Sequence, residues 1–125
     1  MSAGQRKRPP MDSAPLLLII YHSQSGSTER LARAVEEGAR SVASVRTRLV
    51  QASVASEQEL KESRAVAFCS PEYFGYMAGA LKDFFDRTYE NVREHVSGKS
   101  YALVICAGND GSGSLTSIER IITGL

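Results

Sequence analysis

Leu16-Leu17-Leu18-Ile19-Ile20-Tyr21, followed at once by His22-Ser23-Gln24-Ser25-Gly26-Ser27-Thr28, is the stretch that decides how this chain folds. The apolar run is far shorter than the roughly 20 residues that cross a bilayer. It has neither an alternating nor a helical period. A strand buried on both faces has this texture, and such strands belong to parallel sheets covered by helices. The residues after it are small and polar, with hydroxyls at positions 23, 25, 27 and 28 and a glycine at 26. Beyond them Leu31, Val35, Gly38, Ala39 and Val42 recur at helical spacing. The reading is strand, loop, helix, with the loop at a helix N-terminus.

The rest of the chain repeats that unit. Val45, Leu49 and Val50 mark a weaker second strand, and residues 58–62 are at most a short helix. Residues 65–69 form a third strand, apolar throughout. Leu81, Phe84, Phe85 and Thr88 define one face of a helix whose other face carries Lys82, Asp83, Asp86 and Arg87. Residues 101–106 form a fourth strand, and Leu115, Ile118 and Ile122 stripe a last helix. Strand and helix alternating four times predict a parallel sheet with helices on both faces and right-handed crossovers. Ligands of such sheets bind beyond the carboxyl ends of the strands, where strand order reverses. The informative loops are therefore residues 22–28, 70–79 and 107–113.

Length and charge bound the function. The 125 residues suit one domain. Residues 1–13 are polar and hold Arg6, Lys7 and Arg8 against Asp12; they read as a disordered tail, with Met11 an alternative start. Residues 14–125 read as the domain. The net charge of +1 leaves that domain near −1 by difference, which argues against nucleic acid as a partner. No signal-peptide pattern or membrane span is read, and no metal-ligand spacing occurs. Cys69 and Cys106 end apolar runs and read as small buried groups rather than a disulfide, which points to a reducing, cytoplasmic setting.

The loops carry the chemistry. A helix N-terminus has unpaired N–H groups and partial positive charge, so it attracts anions. The loop at 22–28 adds several hydroxyl donors where a simple helix cap needs one, and it contains no Lys or Arg. It therefore reads as a phosphate site built from neutral donors, with Arg30 as an outlying charge. Rival phosphate motifs fail. There is no Gly-Lys-Ser/Thr and no Gly-x-Gly-x-x-Gly at the first turn. A Cys-x5-Arg loop would need arginine where Gly75 and Ser112 stand, and no phospho-acceptor aspartate ends a strand. The loop Ser70-Pro71-Glu72-Tyr73-Phe74-Gly75-Tyr76-Met77-Ala78-Gly79 puts three aromatics and a methionine at a strand end. That composition suits the face of a planar heterocycle, or else a hydrophobic cap on the core. In the third loop Gly111-Ser112-Gly113 could lie close to a flat ligand, although many turns look similar. His22, at the loop entrance, reads as a packing or solvent-facing residue.

Two motifs carry a family resemblance. Ser23-x-Ser25-Gly26-x-Thr28 resembles the flavodoxin phosphate loop. The run from Ser70 to Gly79, continued by Leu81-Lys82-x-Phe84-x-Asp86-Arg87, resembles the flavin loop and following helix of flavodoxin-like NAD(P)H:quinone reductases. The resemblance covers residue 16 to the end of the chain. It implies a flavodoxin-like three-layer α/β sandwich with parallel sheet order 2-1-3-4, the family's fifth strand and its helix, on the order of 30 residues, being missing from this sequence. It implies FMN as cofactor and NAD(P)H as co-substrate. Ser23, Ser25, Gly26, Ser27 and Thr28 would hold the phosphate. Pro71, Tyr73, Phe74, Gly75 and Tyr76 would line the isoalloxazine, with Gly108, Asn109 and Gly113 near its edge. No side chain is expected to act as acid or base, since a flavin carries its own redox chemistry.

The expected function is an NAD(P)H-dependent FMN oxidoreductase reducing a quinone or similar small acceptor. A flavodoxin-type electron carrier and a non-catalytic truncated domain are the alternatives. The fourth strand would form an apolar sheet edge, so a homo-oligomer is expected.

Overall fold

The computed structural model describes residues 14–42, 44–108 and 111–124. The expected tail of residues 1–13 lies outside the described residues. The elements run β1 (Leu16–Tyr21), α1 (Ser27–Arg40), β2 (Arg46–Gln51), α2 (Glu57–Glu62), β3 (Ala65–Tyr73), β4 (Tyr76–Met77), α3 (Gly79–Val96), β5 (Ser100–Cys106) and α4 (Ser112–Thr123).

Four strands pair in parallel in the order β2-β1-β3-β5. Counting the long strands alone, this is the 2-1-3-4 order implied by the resemblance. Leu16 pairs with Arg46 and Tyr21 with Gln51; on the other side Leu17 pairs with Ala65 and Tyr21 with Cys69. β1 is thus central, and both its faces are covered. Leu18 and Ile20 enter a core with Val66, Phe68, Leu60 of α2, and Leu81, Phe84, Phe85, Val92 and Val96 of α3. Ile19 and Tyr21 point the opposite way, into a smaller core with Ala67, Cys69 and Ala32 of α1. The unbroken apolar run in the sequence follows from this double coverage.

Two details differ from expectation. In α1 the buried face is Thr28 and Ala32, with Val35 partly buried, while Leu31 is 41% exposed; Val42, expected on the same face, lies past the helix end and is 56% exposed. Small residues against the sheet let the helix lie close to it, and that proximity overrides the larger side chains one position away. The second difference is β3, which continues to Tyr73 instead of ending at Cys69. It turns back as a hairpin, Glu72 opposite Met77 and Tyr73 opposite Tyr76. Phe74 at φ 54° and Gly75 at φ 73° are the two central residues of that turn. A pair of left-handed residues matches the twist of the flanking strands, as in type I′ hairpins.

Candidate functional site

The three informative loops meet at the carboxyl edge of the sheet. β1 ends at Tyr21, and the His22 amide donates to the Cys69 carbonyl at 3.2 Å, holding the loop mouth against β3. The His22 ring meets Tyr73 edge to face, with centroids 6.0 Å apart. Gly26, at φ 100°, is the N-cap of α1 and makes no side-chain cap. α2, by contrast, starts with a full capping box between Ser56 and Glu59. The first N–H groups of α1 are therefore left for an external acceptor.

A cavity of about 310 Å³ opens at this helix end. Gln24, Ser25, Ser27 and Thr28 form one wall; Pro71, Glu72 and Tyr73 form another; Cys106, Ala107 and Gly108 complete it. Among the described residues no lysine or arginine lines it. Thr28 is only 2% exposed. The volume lies in the range of small-molecule sites. Uncapped N–H groups and three hydroxyls suit a phosphate, and the Pro71–Tyr73 wall with the open Gly108 strip suits a flat ring.

Of the residues singled out in the sequence, Ser25, Ser27, Thr28, Pro71, Tyr73 and Gly108 line this cavity. Ser23 and Gly26 shape the loop: the Gly26 amide donates to Ser23 Oγ at 3.0 Å. Phe74, Gly75 and Tyr76 form the hairpin tip beside the cavity, with the Phe74 side chain fully exposed. Gly113 lies against the hairpin, where an added Cβ would come within 2.0 Å of the Gly75 carbonyl oxygen. Asn109 lies outside the described residues. Gln24, Glu72, Cys106 and Ala107 were not anticipated. Cys106 departs from the expectation of a buried thiol: it is half-buried and lines the cavity, opposite Pro71 in the ladder. Cys69 is fully buried, and burial pushes its thiol up to about 11.

A second, more apolar cleft of about 330 Å³ lies at the opposite end of the sheet, between Leu60, Phe68, Val96, Tyr101 and Ile122. Its one cation, Lys99, donates from Nζ to the carbonyls of Leu60, Lys61 and Ser63 at the end of α2, and burial lowers its pKa. That cation is thus already satisfied inside the protein. Among the described residues no group of three or more His, Cys, Asp or Glu could hold a metal ion. None of the described helices is long and apolar enough to cross a membrane.

A sequence model described as flavodoxin matches residues 19–119. The chain is 28% identical over 107 residues to a flavodoxin of Aquifex aeolicus, covering 86% of this chain and 58% of that protein. It is 30% identical to the quinone oxidoreductase QR2 of Triphysaria versicolor, covering 90% of this chain and 65% of the relative. The chain thus spans less than two thirds of the length of these relatives. Among solved structures, a flavodoxin from the domain Archaea superposes with a TM-score of 0.76 at 26% identity, covering 87% of this chain and 73% of that one.

Proposed function

The chain belongs to the flavodoxin family, and on that premise we propose that it binds FMN in the cavity at the carboxyl edge of its sheet and serves as an NAD(P)H-dependent oxidoreductase of quinones or similar small acceptors. The observation that carries the reading is the uncapped N-terminus of α1, which opens with Ser25, Ser27 and Thr28 onto that cavity. These groups would receive the phosphate through neutral donors and the helix dipole. Pro71, Tyr73 and Gly108 would flank the ring, with Phe74, Gly75 and Tyr76 at its open side and Gly113 behind them. When bound, FMN supplies the redox chemistry by which electrons pass from NAD(P)H to the acceptor. The chain's own residues bind, orient and exclude water; none is required to move a proton.

The near-neutral charge supports an enzyme over a carrier, since carriers find protein partners through long-range attraction. The similarity to a quinone oxidoreductase over most of the chain points the same way. A second reading, an FMN electron carrier, is favoured by the similarity to the Aquifex flavodoxin. The test is FMN titration of the purified protein, followed by steady-state oxidation of NADH and NADPH with a benzoquinone. Flavin absorbance retained after gel filtration and a rate above that of free FMN are expected. Retention without such a rate, with fast one-electron exchange with a redox protein, selects the carrier. No retention refutes both.

A further inference from the structure

The hairpin carrying Tyr73, Phe74 and Tyr76 is fastened to the start of α4 by more than its own turn requires. Tyr73 and Tyr76 already close the hairpin by pairing with each other. Beyond that, Glu72 Oε2 accepts the Ser114 amide at 2.9 Å, one of the first-turn donors that a helix cannot satisfy itself. The positive end of the helix favours a carboxylate there. The Met77 amide donates to Ser117 Oγ at 3.1 Å, and Ser117 Oγ donates to the Ser114 carbonyl at 2.9 Å. Ser114 Oγ donates to the Pro71 carbonyl at 3.5 Å. Ser114 is fully buried and Ser117 is 7% exposed, so the bonds from Met77, Ser117 and the Ser114 hydroxyl are shielded from water, while the Glu72–Ser114 bond is part-buried. Between the two elements sits Gly113, whose missing side chain is what allows the approach: a Cβ would lie 2.0 Å from the Gly75 oxygen and 2.9 Å from Glu72 Oε2.

Glu72 also lines the cavity, between Pro71 and Tyr73. Its carboxylate therefore ties the cavity wall at the end of β3 to the start of α4. We propose that Glu72 is a positioning residue for the flavin ring, holding the hairpin at the end of β3 to the start of α4 so that the two act as one rigid wall. The role rests on the FMN reading above, and it concerns the ring side of the cavity only. The phosphate side, built from the loop after β1, makes none of these bonds.

The test measures FMN and riboflavin affinity by fluorescence in the wild type, Glu72→Ala and Glu72→Gln, with amide exchange at Ser114 in the flavin-free proteins. Glu72→Ala is expected to weaken both flavins by the same factor, about tenfold, leaving the FMN-to-riboflavin ratio unchanged. Its Ser114 amide should exchange faster than in the wild type. Glu72→Gln keeps an acceptor oxygen for that amide, so both affinities and the exchange rate should return to within about twofold of the wild type. A general loss of folding would not be restored by this one-atom change, so the rescue separates positioning from mere stability. Wild-type affinities in Glu72→Ala, a loss confined to FMN, or an equal loss in Glu72→Gln would each overturn the role while leaving the FMN reading standing. A wild-type protein that binds neither flavin overturns both.

Discussion

The Gly26 amide donates to the Ser23 hydroxyl at 3.0 Å, and the same glycine caps α1 at φ 100°. This bond turns the chain from β1 into α1 without covering the helix's first donors. An alanine Cβ at position 26 would meet nothing within 4 Å. The cost of Gly26→Ala is therefore backbone strain alone, about 1–2 kcal/mol. Relief of that strain would reshape the anion loop. The variant should lose FMN affinity more than tenfold while its melting midpoint falls by only about 5 °C; fluorescence titration and calorimetry on the same sample separate the two effects.

Ser25 is exposed and lines the cavity on the side proposed to take the phosphate. Placing a carboxylate there sets a charge against the phosphate dianion. Ser25→Asp should abolish FMN retention and leave the weaker binding of riboflavin nearly unchanged. In the wild type FMN should bind about 100-fold tighter than riboflavin, from two or more charge-assisted bonds at roughly 1.5 kcal/mol each. Equal affinity for the two flavins would show that this loop does not hold the phosphate.

How much of this was legible depended on whether a residue's role is local. The run from Leu16 to Tyr21 announces a strand covered on both sides because burial on two faces demands apolar residues at every position. The loop after it stands out because its hydroxyls exceed what one cap needs, and the structure leaves α1 without a side-chain cap there. The buried face of α1 was not legible: hydrophobicity favours Leu31, but the distance to the sheet selects Ala32. The hairpin was half legible, since Gly75 suits a left-handed turn and Phe74 beside it does not. Glu72 and Cys106 gave no signal, because their places in the wall depend on Ser114 and Pro71, each more than 30 residues away.

Cys69 and Cys106 sit on neighbouring strands in opposite environments. Cys69 is 0% exposed with a thiol raised to about 11, whereas Cys106 is half-buried on the cavity wall. Mild alkylation near neutral pH should label Cys106 and spare Cys69. FMN should slow the labelling. Peptide mapping after iodoacetamide treatment reads both sites, and Cys106 labelling unaffected by saturating FMN would place the flavin elsewhere.

β5 pairs with β3 from Ser100 to Cys106, and among the described residues no other strand pairs with it. An apolar strand with one open edge invites a further chain. The 125-residue chain should therefore self-associate, and sedimentation velocity at micromolar concentration should show a species heavier than the monomer. A single monomeric species that stays soluble would refute this.

Burial of Cys69 among Ile19, Tyr21, Ala32 and Ala67 makes stability fall in alkali. Its thiol moves from an ordinary 9.0 up to about 11 in the fold. Below about 9 the folded and unfolded chains both keep the proton, and its contribution is complete. Between about 9 and 11 the unfolded chain loses a proton that the native chain retains, so stability drops as pH rises, by at most about 3 kcal/mol. Lys99 works against this trend, since its pKa is lowered in the fold and the native state gains on the unfolded one as that lysine deprotonates. Comparison with Cys69→Ala removes the lysine from the question. The variant should be less stable than the wild type near neutral pH, because the sulfur leaves a small void. Its disadvantage should then shrink steadily from pH 9 to 11 in urea denaturation curves. A gap between the two proteins that stays constant across that range would show that the Cys69 thiol titrates alike in both states.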